Sequence, residues 1–462
     1  MIPILTPEQM AAVDAAAPEP FEVLVHRAAF AVRTAALRLL GGSYGRRVLV
    51  VAGPGNNGHD GRVAAVMLRG SGVRVEVIEQ TTLLSELTDC DLVIDAAFGT
   101  GFRGSHQAFH TSAPVLAVDI CSGLNGMTGQ VMGSVAPAVE TVTFAALKPG
   151  LLFGQGAALS GQVSLADIGL STGSATAHLV TNTDLQSWVP QRSAQAHKWK
   201  HAVWVIAGSP GMSGAAELAA TAALRGGAGY VRLSTPGAPP ASQPLESVGY
   251  ELDPQSWAHE VSAHAKRFKV VAVGPGLGRS EQMQLQVREL VSTLDCPLVL
   301  DGDALWALGS QAAELLNARS APTILTPHDG EYEQLFGQVP GPDRIDAASK
   351  LAALTRSVVL LKGPTTVVSD LGERCLVVRS GDARLATAGS GDVLTGLVAA
   401  HLALGADPLH AAASAAHLHG RAAMLGDTRS LIASDLPRLF ANAWAECATP
   451  AGSDRSGLTL CT

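Results

Sequence analysis

An aspartate directly behind a Gly-Ser-Gly turn is the sharpest chemical feature of the chain. It lies in TAGSGDVLTG (387–396), where Gly389, Ser390 and Gly391 precede Val393, Leu394, Leu397 and Val398 at helical spacing. Free N–H groups at such a helix start form an anion hole. A carboxylate there, Asp392, can take a proton from a hydroxyl that attacks a phosphoryl group. The alternative is a helix N-terminal acid that favours the dipole. Lys362, in KGPTT (362–366), follows an apolar strand, so its ammonium and the nearby amides can meet nucleotide phosphates. GPGLG (274–278) also follows a strand and offers close backbone approach. His328, in TPHDGE, would either contact a substrate phosphate or amide, or cap a helix. Residues 211–229 read as a small-residue loop and helix able to admit a bulky ligand.

A second set stands in the first half. GPGNNGHDG (53–61) joins the β-branched run VLVVA to the helical pattern RVAAVMLRG. Its glycines would let a ligand approach, and Asn56 and Asn57 would serve a pyrophosphate, a ribose or a cation. Asp60 reads alternatively as a helix cap. Asp95 ends LVID and enters AAFGTGFRGS (96–105); Asp119 ends VLAVD and enters ICSGLNG (120–126). Two strand-end acids entering Gly-rich loops would gather carboxylates along one sheet edge, giving oxygen ligands and an acid/base group. No GxGxxG opens this half, which argues against an ordinary NAD dehydrogenase.

The elements that must hold these groups alternate between apolar strands and helices, which predicts α/β architecture with mainly parallel sheets. The 462 residues suit two or three domains. A shift to small and polar residues between 170 and 194 sets the expected divisions at 1–185 and 186–450, followed by a frayed tail at 451–462. Apolar residues at 47% favour globular folding. A net charge of −8, only 4% aromatics and no basic tract argue against nucleic-acid binding. No apolar run approaches membrane-span length. The start, MIPILTPEQM, lacks signal-peptide features, and six scattered cysteines without CxxC fit a reducing compartment, so a cytoplasmic location is expected. The histidine pairs His197/His201 and His417/His419 are weak metal candidates.

Two resemblances then connect the motifs. GPGNNGHDG, DAAFGTGFRG, DICSG and TFAALKPG resemble the NAD(P)HX epimerases, with a Rossmann-like three-layer sandwich. That resemblance implies potassium on Asn57, Asp95 and Ser122. It implies hydrated nucleotide on Asn56, Asn57, Gly58, His59 and Asp60, on Gly99, Thr100, Gly101, Phe102, Arg103, Gly104 and Ser105, and on Asp119, a proton-handling group that Lys148 would face. His59 and Cys121 depart from the family's usual Gly and Pro. The second half resembles the ribokinase-like, ADP-dependent NAD(P)HX dehydratases through GSPGMSGAAELAATAALRGGAGYV, GPGLG, TPHDGE, KGPTT and AGSGDVLTG. It implies hydrate near Ala215, Gly276, Gly278, His328 and Asp392, and ADP on Lys362, Gly363, Pro364, Thr365, Thr366 and Gly391, with Mg2+. Trp199 and Gly302 are departures, and Trp199 is expected near the entrance. Together these imply a bifunctional repair enzyme that epimerises NADHX and NADPHX and dehydrates the S form, and that forms a homo-oligomer. A small-molecule kinase with a regulatory first half is the rival reading.

Overall fold

Runs such as Val48–Ala52 and Val270–Val273 are fully buried because helices cover both faces of their sheets, which is why they read as continuous apolar stretches and not as alternating ones. The computed structural model describes residues 1–80, 86–238, 243–372 and 374–448, and the backbone of 458–461. Contacts divide it into a unit of Ile2–Ala177 with Ala451–Thr462, and a unit of His178–Pro450 with Met1.

The first unit holds a seven-stranded sheet ordered Leu458–Cys461, Gln162–Ala166, Glu140–Phe144, Val115–Val118, Leu92–Ala96, Arg47–Ala52, Arg74–Glu79. Every pairing is parallel. In the tail expected to fray, Leu458–Cys461 is a strand paired parallel with Gln162–Ala166. Arg47–Ala52 lies between Arg74–Glu79 and Leu92–Ala96, the two strands of this sheet that follow it in the chain, so the order reverses at Arg47–Ala52. A crevice opens at the carboxyl end of such a strand. The helix Asn56–Gly70 starts there, and Phe21–Leu40 packs beside it.

In the second unit, strands run Cys375–Val378, Thr366–Ser369, Val358–Leu361, Thr323–Leu325, Leu298–Leu300, Val270–Val273, Ala202–Ile206, Tyr230–Ser234, Val248–Gly249. They are parallel from Val358–Leu361 onward, and the first three form antiparallel pairs. Residues 362–365, read in the sequence as following an apolar strand, are the turn between two antiparallel strands. Ala202–Ile206 is again a switch strand. Ser390–Leu404 packs on Ser213–Arg225, with Pro408–Leu425 on its other side. Small side chains allow that packing: a Cβ on Gly396 would sit 2.0 Å from the Ala219 carbonyl oxygen. Among the described residues, no helix is long and apolar enough to cross a membrane.

Candidate functional sites in two clefts

The Asn-Asn stretch is not a loop. Asn56 opens the helix, Gly55 is its N-cap, and Asp60 lies inside it without capping it. The glycines serve the protein's own packing: a Cβ on Gly53 would fall 1.7 Å from the Ala97 oxygen, and one on Gly58 would fall 1.9 Å from the Gly53 oxygen. Only Gly55 faces open space. The ligand approach expected of all of them thus belongs to the helix's first turn and to Gly55.

A cleft of about 590 Å3 opens there, lined among others by Asn56, Asn57, Asp60, Asp119 and Lys148, and by Gly99–Phe102. Gly58, His59, Arg103, Gly104 and Ser105 do not line it. Arg103 turns its guanidinium back to the Phe102 carbonyl at 2.9 Å, and the His59 ring lies 5.7 Å from that of Phe21. Asp119 has φ +66°, a left-handed conformation that costs an L-residue energy and is commonly retained where a side chain must be aimed. Its Oδ1 lies 2.6 Å from Lys148 Nζ and accepts from Thr143 Oγ1 at 3.0 Å. Lys148, 1% exposed, also donates to Thr143 Oγ1 and the Phe144 carbonyl, both at 2.9 Å. A buried ammonium fixed by three oxygens holds the Asp119 carboxylate in place. Burial pushes Asp60 up to about 8, helped by the charges of Asp119 and of Asp14 on the helix Pro7–Ala15. At neutral pH Asp60 is therefore largely a protonated acid beside an anchored carboxylate.

Behind the cleft, Asp95 accepts from Ser122, Oγ to Oδ1 at 2.6 Å and N to Oδ2 at 2.9 Å. Ser122 Oγ in turn accepts the Phe98 N–H at 2.9 Å. Burial raises the Asp95 pKa against these hydrogen bonds. Asn57, on the cleft wall, has both amide atoms buried with no hydrogen-bond partner among the described residues. An orphaned buried amide costs roughly 1–3 kcal/mol unless something absent from the protein chain meets it. Cys121 is an inert buried thiol, pushed up to about 12 by burial.

In the second unit, Asp301 at the end of Leu298–Leu300 is 2% exposed and engaged at both oxygens. Oδ1 takes Lys362 Nζ and Thr326 Oγ1, each at 2.8 Å; Oδ2 takes Thr395 Oγ1 at 2.8 Å. Glu331 Oε2 stands 3.5 Å from Lys362 Nζ. Burial alone would lower the Lys362 pKa, but Asp301 and Glu331 outweigh it and the net shift is upward. A Cβ on Gly391 would lie 3.6 Å from Lys362 Nζ, so the helix start and the lysine meet. Gly389, with φ +90°, turns the chain into that helix. Burial lifts Asp392 to about 6, with Asp301, Asp303 and Glu331 reinforcing the shift and Lys362 opposing it.

Across this cluster, a Cβ on Gly276 would lie 3.0 Å from that of Ala215. The Gly278 N–H is already given to Asp303 Oδ2 at 2.8 Å, and Asp303 pairs with Arg279. His328 caps Asp329–Phe336: its Nδ1 accepts from Gly330 N and Glu331 N, which fixes the ring with Nε2 outermost, 3.4 Å from Glu331 Oε1. Trp199 is not at the entrance. It stacks on Tyr230 at 4.3 Å and meets Phe268, residues at the amino ends of strands, whereas the cluster lies at their carboxyl ends. His201 Nδ1 lies 3.0 Å from the Ala403 carbonyl and His417 Nε2 lies 2.8 Å from Asn182 Oδ1. Among the described residues, no three His, Cys, Asp or Glu side chains gather as a metal site. Asp14, Thr326 and Thr395 escaped the sequence reading altogether, as did the joint engagement of Asp301 and Glu331 with Lys362.

Residues 203–443 match the family described as NAD(P)H-hydrate dehydratase, and residues 21–89 and 78–150 match the family described as YjeF-related protein N-terminus. A bifunctional NAD(P)H-hydrate repair enzyme of Moorella thermoacetica is 35% identical, covering 85% of this chain and 86% of its own. That of Escherichia coli is 32% identical, covering 85% and 84%. The ADP/ATP-dependent NAD(P)H-hydrate dehydratase of Bacillus subtilis, co-crystallised with ATP and Mg2+, is 30% identical, with TM-score 0.51 over 58% of this chain and 97% of that one. A ribokinase-like superfamily protein of Enterococcus faecalis, 20% identical with TM-score 0.52 over 60% of this chain and 98% of its own, shares the fold.

Proposed function

This chain belongs to the family of bifunctional NAD(P)H-hydrate repair enzymes, and from that premise we propose how its two sites divide the work. The protein epimerises the R and S hydrates of NADH and NADPH and dehydrates the S form. The first cleft carries the epimerisation. The reacting carbon bears a hydroxyl and a ring nitrogen, so inversion breaks and remakes one bond to it while a proton leaves one atom and returns to another. The anchored Asp119 carboxylate accepts that proton, and the protonated Asp60 is an acid on the same cleft wall. Potassium would be held by the Asn57 amide oxygen with Asp95 and Ser122, an all-oxygen set whose one unmet member is Asn57, and would supply a fixed positive charge for the substrate's phosphates.

The Asp392 cluster of the second unit carries the dehydration. Asp392 accepts the proton of the hydrate's hydroxyl as its oxygen attacks the terminal phosphoryl of ADP. AMP leaves, the C–O bond of the new ester breaks as phosphate departs, the neighbouring ring carbon gives up a proton to the phosphate or to water, and the ring double bond returns. Lys362 and the Ser390–Gly391 amides meet the transferring phosphoryl. Asp301, Asp303, Glu331 and Asp392 outnumber Lys362 and Arg279 here, so nucleotide enters with Mg2+ as its counter-ion. The helix start that places Asp392 in its first turn with Lys362 Nζ against Gly391 carries the reading, and the burial that lifts Asp392 to about 6 makes it a better base. In the deciding experiment, purified protein with ADP, Mg2+ and potassium restores reduced-nicotinamide absorbance from a mixed hydrate and releases phosphate; a stable phosphorylated product would mean a kinase instead. Omitting potassium slows the R-to-S step alone.

A further inference from the structure

Three segments far apart in sequence converge on one carboxylate. Asp301 sits at a strand end, Lys362 in a turn and Thr395 one helical turn beyond Asp392. All three donors to Asp301 are at 2.8 Å, and at 2% exposure it has no water to exchange them for. A Cβ on Gly391 would lie 4.0 Å from Asp301 Oδ2 and 3.6 Å from Lys362 Nζ, so the anion hole is built directly against the pair. An ion pair with one partner buried and the other largely so is a poor source of stability but a good device for fixing one geometry.

We propose that Asp301 is a positioning residue of the dehydration: it holds Lys362 against the phosphate-binding helix start and, through Thr395, locks the helix that carries Asp392. This rests on the reading of the Asp392 cluster given above. Lys362 is a flexible point charge that would otherwise extend toward Glu331 or solvent. The single hydroxyl proton of Thr395 is shared between Asp301 Oδ2 at 2.8 Å and the Gly391 carbonyl at 3.0 Å, so the threonine bridges Asp301 and the residue before the base. The groups facing Asp392 are Asp301, Asp303, Glu331 and Lys362, with Arg279 paired to Asp303 and His328 set beside Glu331.

The test compares Asp301→Asn with the unaltered protein. Asparagine keeps the volume and removes the charge. Two changes then act on Asp392 in the same direction: a like charge disappears, and Lys362 loses the partner that neutralised it. The acid limb of the kcat profile should move down by about one pH unit, and KM for ADP should rise roughly tenfold as Lys362 loses its anchor. A uniform fall in kcat at every pH with an unmoved limb would overturn the proposal, since that is what a merely structural role gives. An unchanged KM would overturn it too. If Asp301→Asn does not fold, Thr395→Val carries the test: close in shape, it removes one donor, so the melting temperature should fall, and KM for ADP, read well below that melting temperature, should rise about threefold or more. An unchanged KM there would sink the locking role. Activity of the unaltered protein in the same assay separates this from a failure of the dehydration reading, which would leave both proteins inactive.

Discussion

At the residue scale, Asp392 shows how a site is built at the expense of stability. Its carboxyl titrates at 3.8 in the unfolded chain and near 6 in the fold, because burial and three other carboxylates disfavour the charge. The folded state therefore binds the proton more tightly than the unfolded one. Stability on this account is highest below about pH 4 and is lost as pH rises through 6. Asp392→Asn removes the penalty. It should abolish dehydration while nucleotide still binds, and should stabilise the second unit at pH 8 by an amount on the order of 2 kcal/mol. The gain should vanish near pH 3.5. Thermal melts at the two pH values check this; a variant less stable at pH 8 would show that Asp392 is not strained there. Aspartates at strand ends and a Gly-Ser-Gly-Asp turn were legible in the sequence, since position along a strand or helix is a local property. Their partners were not. The Asp301–Lys362 and Asp301–Thr395 contacts span 61 and 94 residues, and no local pattern encodes which strand ends become neighbours.

At the element scale, the helix Ser390–Leu404 positions Asp392 only because it lies close against Ser213–Arg225. Contact at Gly396 is backbone to backbone, with the Ala219 carbonyl filling the space of a side chain. Gly396→Ala must drive the two helices apart, at a cost of roughly 1–3 kcal/mol, and the base moves with its helix. The variant should lose dehydration far beyond what its lowered melting temperature explains, while epimerisation by the first unit stays at the original rate. Equal loss of both activities would point to general unfolding. Glycines also mark where sequence reasoning went astray. In 53–61 they were read as clearance for a ligand, because a missing side chain looks the same whether a phosphate or the chain's own carbonyl fills the gap. Alternation of the central strands with helices, by contrast, was readable, since burial on both sheet faces writes itself as uninterrupted apolar runs, whereas strands such as Gln162–Ala166 and Tyr230–Ser234, which carry polar residues, were not. The end of the strand before Lys362 was readable, but its antiparallel pairing with Thr366–Ser369 was not, because no local pattern encodes the direction of pairing.

At the scale of the whole molecule, each unit has its own sheet, its own switch strand and its own cluster of acidic side chains, so the two reactions should be separable by single substitutions. The chemistry makes the separation visible in one trace. A mixed hydrate holds both epimers, and the Asp392 cluster consumes only S. With both sites working, absorbance of the reduced ring should recover completely in a single course, because R is converted as S is withdrawn. Asp119→Asn leaves Lys148 hydrogen-bonded to Thr143 and the Phe144 carbonyl, so the cleft should keep its shape while losing the carboxylate that takes the proton. Recovery should then rise at the original initial rate, halt at the fraction of S first present, and continue only as slowly as R inverts unaided. Adding a small amount of Asp392→Asn protein, which dehydrates nothing but retains the first cleft, should restart it to completion. A full single-phase recovery by Asp119→Asn alone would mean that the proton is handled by another group, with Asp60 the first to examine.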